Sequence, residues 1–375
     1  MMNIRKQLHK KKILVRQQFE KRFNRFAIKY YSHWRAQYVN SISYHYDRAE
    51  LSLKEKQDIK RIWGKGREKY YAFEFYKQFC GTFNPCYVPD DYYDLAEHVF
   101  NLRWAAYFLQ HKCNLKYIIP EKNRAKVIVQ KIDGHYVLED NTEISKEAAI
   151  IRLKEHPCFM RKVARGTGGG KGVKKVILEN VKDEACFFEE LLQGNDIEFE
   201  EIIRQNEFLD QFNPDSVNTF RFLTLNINQK CTLLSTFLRM GAKGSFVDNL
   251  SGGSGVLVGI NNEGYVNSFG IDKGFNKMYH SPTGLEFKGI KVPSFDTLTQ
   301  QIIGFHKKIP FANLIGWDVT IDKEGNPIVI EINLDRALIE AHQVFNGPVF
   351  GDRLAEVKEY IENKKPTLRY DMMIY

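Results

Sequence analysis

The sequence predicts an α+β protein with a helical front followed by short strands joined by turns. Three observations lead there. Residues 1 to about 115 carry aromatic side chains at mixed helical spacings. From about residue 117 the pattern changes to short apolar runs bounded by turn residues. These runs do not alternate regularly with helices, so a doubly wound parallel sheet is not expected. The chain has 375 residues, 43% hydrophobic and 13% aromatic, and is therefore a folding sequence with room for a sizeable core.

In the front, Tyr30, Tyr31, Trp34, Tyr38, Tyr70, Tyr71, Phe73, Phe75, Tyr76 and Phe79 are the expected core of a helical region. Phe83-Asn84-Pro85-Cys86-Tyr87-Val88-Pro89-Asp90-Asp91 is a turn-rich break, and one helix is expected from about Tyr92 to Cys113. Residues 126–130 and 135–138 form a predicted hairpin with Asp133-Gly134 at its turn. Ser145 caps a helix running to Lys154, with Glu147 in its first turn. Residues 160–164 are a strand ending in a glycine loop, 173–178 resume as a strand, and 183–192 read as a helix. From Phe199 to Asn333 strands dominate.

Near the C-terminus, Gly316-Trp317-Asp318-Val319-Thr320-Ile321 and Ile328-Val329-Ile330-Glu331-Ile332-Asn333 alternate in type about a turn centred on Glu324-Gly325. A symmetric hairpin sets Asp318 across from Glu331, with Asn333 on the face of Glu331. Opposed carboxylates repel. A hard cation between them removes the repulsion. Mg²⁺ suits, because it takes a few carboxylate oxygens and shares its shell with phosphates and water.

Gly166-Thr167-Gly168-Gly169-Gly170-Lys171-Gly172 lies between two strands. Without Cβ atoms, such a loop brings backbone N–H groups close to phosphate oxygens. Lys171 within it and Lys162 before it add positive charge. It is neither a Walker loop nor a Rossmann turn, since no Ser or Thr follows the lysine and no helix opens behind it. A flexible hairpin tip also accounts for the glycines. Phe199-Glu200-Glu201-Ile202-Ile203 reads as a hinge whose backbone meets a base, with Glu207 accepting from ribose, or as a strand edge with solvated glutamates. Arg221 interrupts an apolar strand and Arg239 ends another. Asp248-Asn249 and Gly252-Gly253 follow, which makes a candidate anion clamp or a rim charge.

No apolar run long enough to span a bilayer occurs. The front lacks an apolar signal core, and the six scattered cysteines form no CxxC pair, so a cytoplasmic chain with reduced thiols is expected. The net charge is +9, much of it from Arg5, Lys6, Lys10, Lys11, Lys12, Arg16, Lys21, Arg22 and Arg25 against Glu20. That front reads as a solvated basic helix. With Ile13, Leu14, Phe19, Phe23 and Phe26 as an apolar stripe, it also suits the anionic inner face of a membrane. No nucleic acid is expected, and no nucleophile elbow is visible.

Taken in order, these pieces resemble the ATP-grasp superfamily, in the branch found with sugar-transfer and polysaccharide-biosynthesis enzymes. The likeness rests on Lys162 with the glycine loop, the Glu200–Ile203 hinge, Pro214 to Arg221, Arg239-Met240-Gly241, Asp248-Asn249 with Gly252-Gly253, Gly316-Trp317-Asp318 and Glu331-Ile332-Asn333. His342-Gln343 with Asn346-Gly347-Pro348, and the 83–91 break, also match. It covers about residues 83 to 352. The chain departs from the pattern at Lys162-Val163, where Lys-Pro is usual, and at Leu334-Asp335-Arg336, where small residues or proline are. His111-Lys112-Cys113-Asn114 matches an Asp-Lys-Asn pattern only in part and receives no role.

The resemblance implies an ATP-grasp fold: a helical region (1–115), a small lobe (116–200) and a large lobe (201–375) holding ATP and Mg²⁺. It implies phosphate contacts from Lys162, Gly168, Gly169, Gly170 and Lys171, and adenine and ribose contacts from Glu200, Glu201, Ile203 and Glu207. Asp318, Glu331 and Asn333 would hold Mg²⁺. Arg239, with Arg221 and Asn249, would stabilise the transferred phosphoryl group or a tetrahedral intermediate. The implied activity is a carboxylate–amine ligase forming an amide through an acyl phosphate, in cell-surface glycan assembly, on a small carboxylate and an amine or sugar-linked acceptor. The alternatives are phosphotransfer to a hydroxyl and a non-catalytic basic module for membrane or nucleic acid.

Overall fold

The computed structural model describes residues 49–64, 68–165, 172–246, 255–335 and 337–364, with isolated positions 11, 14, 15 and 18. Gly168, Gly169, Gly170, Lys171 and Asn249 lie outside the described residues, as does almost all of the basic front with its apolar stripe.

The front of the chain contains helices α1 (Leu53–Trp63), α2 (Glu68–Cys80), α3 (Asp90–Phe100) and α4 (Arg103–Leu109). Next come strands β1 (Val127–Ile132), β2 (His135–Val137) and β3 (Glu143–Ile144), then α5 (Lys146–Lys154), β4 (Cys158–Val163), β5 (Val173–Ile177), α6 (Glu184–Leu191) and β6 (Ile197–Glu201). A short α7 (Glu207–Asp210) leads to β7 (Thr219–Ile227), β8 (Lys230–Met240), β9 (Val256–Ile260), β10 (Val266–Ile271) and β11 (Lys277–Met278). The chain closes with α8 (Phe295–Lys307), β12 (Leu314–Ile321), β13 (Pro327–Asn333), α9 (Ile339–Asn346) and α10 (Leu354–Lys364).

The chain forms two compact units, Met1–Arg103 with Leu338–Tyr375, and Trp104–Ala337. This differs from the expected boundaries, which began the small lobe at 116 and left 338–375 in the large lobe. The reason is packing: α9 lies against α2, and α10 against α3. Gln343 on α9 pins the 83–91 break. Its Oε1 accepts from the Val88 N–H at 2.7 Å, and its Nε2 donates to Tyr76 Oη at 2.9 Å and to the Val88 carbonyl at 3.1 Å. The expected helix from Tyr92 to Cys113 is also interrupted. Asn101 is extended (φ −116°, ψ 116°) and ends α3, and Cys113 falls in a 3-10 turn, Lys112–Tyr117. Asparagine competes poorly inside helices, and here it marks the passage between units.

The second unit holds two antiparallel sheets. The first runs β3-β2-β1-β6-β4-β5, the second β11-β10-β9-β8-β7-β12-β13. Asp133 (φ 49°) and Gly134 (φ 87°) are both left-handed, as the tight turn between β1 and β2 requires. Ser145 caps α5 by accepting from the Ala148 N–H (3.1 Å), and Asp183 caps α6 through Cys186 (3.1 Å). Ala149 and Leu153 of α5 and Phe188 and Leu191 of α6 pack on Val129, Phe159, Ile197 and Phe199 of the first sheet. Leu298, Ile302 and Phe305 of α8 pack on Phe220, Phe222, Leu238 and Trp317 of the second.

Strand alternation leaves each sheet a polar face opposite its apolar one. A buried chain of hydrogen bonds secures the apolar side of the second sheet. Trp317 Nε1 donates to Thr224 Oγ1 (2.8 Å), which lies 2.7 Å from His306 Nδ1, while His306 Nε2 lies 3.0 Å from the Ala312 carbonyl. A carbonyl only accepts, so Nε2 carries the proton, and burial favours the neutral imidazole. Among the described residues, no helix is long and apolar enough to cross a membrane.

Candidate active site

Asp318 pairs directly with Glu331 across β12 and β13, as the spacing predicts, but by a detour. Ile321 pairs with Pro327 and Val319 with Val329, so the turn is centred on Glu324. A β-bulge at Ile330 then shifts the register by one residue and restores Asp318 opposite Glu331. Without the bulge, Asp318 would face Ile330, and Glu331 would turn toward the apolar side.

The expected bare carboxylate pair is not what forms. Asp318 also lies directly across from Arg221 on β7, on its other flank. Arg221 Nε donates to Oδ1 and Arg221 Nη2 to Oδ2 at 2.9 Å, while Arg239 Nη1 donates to Oδ2 at 3.0 Å. Glu331 receives the Lys112 ammonium at 3.1 Å. The repulsion is thus relieved by the protein's own cations. Burial pushes the Asp318 carboxyl up, but Arg221, then Arg239, then hydrogen bonding outweigh it and hold it below the usual carboxylate range.

The residues still fit a hard cation. Asp318 accepts hydrogen bonds from Arg221 and Arg239, and Asn333 adds to them. The Glu331 side chain is 30% exposed, so part of it remains open to a ligand. The Asn333 amide acts on Asp318 by hydrogen bonding, and its Oδ1, not the donor Nδ2, is the atom a cation would take. Among the described residues, no three His, Cys, Asp or Glu converge into a preformed cluster. A partial protein shell suits Mg²⁺, which keeps waters and takes substrate phosphate oxygens.

The polar face of the first sheet supplies the other half. Lys162 on β4 is buried and pairs with Glu200 on β6. Burial works to lower its pKa, but Glu200, then Glu198 and Glu331, raise it, so the ammonium stays charged. The influence of Glu331 on Lys162, and of Lys112 on Glu200, ties the two polar faces into one site. Lys112 is held there through its backbone, whose N–H donates to the Ala164 carbonyl at 3.1 Å, just before the glycine loop.

The remaining expected residues are dispersed. Glu201 points to the opposite face of β6, where its carboxylate meets Lys126 at 2.8 Å on the surface. Its N–H is also used, by the Lys126 carbonyl at 2.9 Å. Strand alternation separates it from Glu200, so the Glu201 side chain does not join the Lys162 cluster. Ile203 is half-buried just past β6, and Glu207 opens α7, exposed. Asn218, part of the matched run before Arg221, is buried in a structural knot, with Nδ2 donating to the Asn213 carbonyl at 2.7 Å and the Leu209 carbonyl at 2.9 Å. Sequence reasoning missed Lys112, Glu198 and Gln130. The two-residue spacing of Glu198 and Glu200 in a strand was a usable signal, and so was the partial motif match at Lys112.

Two α+β layers, each an antiparallel sheet backed by helices, with ammonium, guanidinium and carboxylate groups on their polar faces, make up the ATP-grasp fold. A family model described as sugar-transfer associated ATP-grasp matches residues 100–359, and the chain belongs to that family. Solved structures show similarity at low identity. The ATP-grasp ligase PsnB with a minimal precursor is 12% identical, with 69% of this chain and 64% of that one covered and a TM-score of 0.40. The VanG D-Ala:D-Ser ligase of Enterococcus faecalis is 14% identical over 70% and 62%, with a TM-score of 0.41. A biotin carboxylase of Campylobacter jejuni is 12% identical over 68% and 46%, with a TM-score of 0.42. The chain thus spans less than two thirds of the length of each of these proteins. No individually curated protein matches the sequence.

Proposed function

We propose that the protein is an ATP-dependent, Mg²⁺-assisted ligase that joins a carboxylate to an amine through an acyl phosphate. The observation that carries this reading is the row Glu331–Asp318–Arg221–Arg239 across adjacent strands, with Lys112 on Glu331 and Lys162 beside it. A carboxylate acceptor and ATP repel each other. A site rich in fixed cations lowers that repulsion and favours the charge of the transferring phosphoryl group.

In the first step a carboxylate oxygen attacks the γ-phosphorus, and the bond to the bridging oxygen breaks with its electrons leaving on ADP. In the second step the amine lone pair attacks the acyl carbon, the acyl C–O bond breaks, and phosphate departs. The surplus ammonium proton passes to water. Arg239, with 15% of its side chain exposed against 5% for Arg221, is the more accessible guanidinium and the one that meets the phosphoryl group or oxyanion while Arg221 stays on Asp318. Lys162 and Lys112 meet phosphates. Glu200, Glu201 and Ile203 border the base, the last two through the backbone, and Glu207 meets the ribose. Asp318, Glu331 and Asn333 would hold Mg²⁺, which would supply charge neutralisation for the phosphates. Gly168, Gly169, Gly170, Lys171 and Asn249 take their roles from the family pattern.

The sugar-transfer association of the family supports a sugar-linked or amino-acid acceptor in cell-surface glycan assembly. The basic front supports peripheral attachment to an anionic inner membrane face. The test is phosphate release from Mg-ATP over panels of amino acids, sugar acids and amines. Release that requires both an acid and an amine supports ligation. A phosphorylated alcohol as product replaces it with phosphotransfer.

A further inference from the structure

Glu198 is a buried acid that the proposed reaction does not use. It stands directly across from Lys162 in the β4–β6 ladder and shares a strand face with Glu200. On its other side is Gln130 of β1, also in register. Gln130 Nε2 donates to Glu198 Oε2 at 2.6 Å, and Gln130 is itself fixed by Lys116 Nζ at 2.8 Å and the Cys113 carbonyl at 3.2 Å. Glu198 and Glu200 are both buried two residues apart on one face of β6, and two carboxyls so placed favour sharing a proton. Glu200 in turn holds the Lys162 ammonium.

The Lys162 ammonium has three donors, and the pull of a phosphate oxygen on it competes with its bond to Glu200. A carboxylate left alone at such depth is strongly penalised. We propose that Glu198 is a positioning residue for the nucleotide phosphates: its hydroxyl is the partner left to the Glu200 carboxylate when Lys162 turns toward a phosphate oxygen. The inference rests on the reading of Lys162 as a phosphate ligand. Only hydrogen bonds are exchanged, and the proton stays on the acid pair.

The charges agree with the geometry. Burial first, then the charge of Glu200, raises Glu198 well above the usual carboxylate range. Burial also works to raise Glu200, but Lys162 and the Glu198 hydrogen bond hold it low. The charged and titratable groups around the pair are Lys162 on β4, Cys113 and Lys116 in the 3-10 turn, and, at longer range, Lys112 and Glu331.

The experiment is calorimetric titration of Mg-ATP into the full chain between about pH 6 and about pH 9. Wild type, Glu198→Val and Glu198→Gln are compared, with thermal unfolding as a check on folding. Wild-type affinity is expected to weaken as pH rises and Glu198 ionises. Glu198→Val, which cannot donate to Glu200, weakens binding about tenfold or more. Glu198→Gln keeps a neutral donor, recovers most of that loss relative to Glu198→Val, and no longer weakens with pH. Binding by folded Glu198→Val equal to wild type overturns the proposal, and so does a wild-type pH profile in Glu198→Gln. Should Glu198→Val not fold, the Glu198→Gln profile decides. A wild type that binds no Mg-ATP at all overturns the nucleotide-site reading itself, and this proposal with it.

Discussion

Asp318 and Arg221 occupy directly opposed positions on β12 and β7 and form a two-point ion pair shielded from water. Removing one partner leaves a buried charge without compensation. Arg221→Met is therefore expected to destabilise the fold by about 3–5 kcal/mol, less whatever Arg239 recovers. Arg239→Met leaves Asp318 its stronger partner and is expected to unfold at nearly the wild-type denaturant midpoint while losing roughly a hundredfold or more in turnover. Urea titrations beside a phosphate-release assay separate the two arginines. Equal effects on stability would contradict the assignment.

Ile330 sets the register that brings Glu331 to the polar face. Deleting it removes the bulge and leaves Glu331 opposite Asp318, so the polar pair is expected to survive the deletion. Loss of Mg-ATP turnover is expected in Glu331→Gln. Circular dichroism and unfolding of Glu331→Gln should match wild type, because the Glu331 side chain is 30% exposed and Gln keeps an acceptor oxygen for Lys112. Full turnover in Glu331→Gln would remove this residue from the metal shell.

His306 gives the fold an acid-sensitive element. Burial lowers its pKa to about 4, against about 6.5 in an unfolded chain. The folded state thus favours the neutral imidazole. Its contribution is fully present above about pH 6.5 and is lost progressively as pH falls toward about 4, amounting to about 3 kcal/mol over that window. Unfolding free energies measured across it should fall accordingly, and His306→Gln should flatten the slope. An unchanged slope in that variant would show that other groups dominate.

Gln343 joins α9 to the 83–91 break through both backbone groups of Val88. Gln343→Leu leaves those buried groups unpaired, at about 1–3 kcal/mol each. The loss should appear as faster amide exchange in α2, α9 and the break. Unchanged exchange there would indicate that aromatic packing alone holds the segment.

Much of the fold was legible. The Asp133-Gly134 turn, the Ser145 cap and the alternation of β12 are local features, written in short-range chemistry. The site was legible wherever residue type and strand spacing coincide, as at Asp318 and Glu331. It was not legible at Lys112, whose ammonium reaches Glu331 from a turn far away in sequence. Nor was the opposite direction of Glu201, because the start of β6 decides which glutamate of the pair faces inward.

By itself the sequence determined the α+β class, the strand periods, the caps and the family pattern, since each depends on neighbours a few residues apart. Tertiary structure alone decided that Arg221, Arg239 and Lys112 neutralise the two carboxylates, that Glu198 joins Glu200 beside Lys162, and that 338–375 belongs with the front helices. Those outcomes depend on pairing between distant strands and helices, and on burial. Burial governs the strength of each charge and has no local signature.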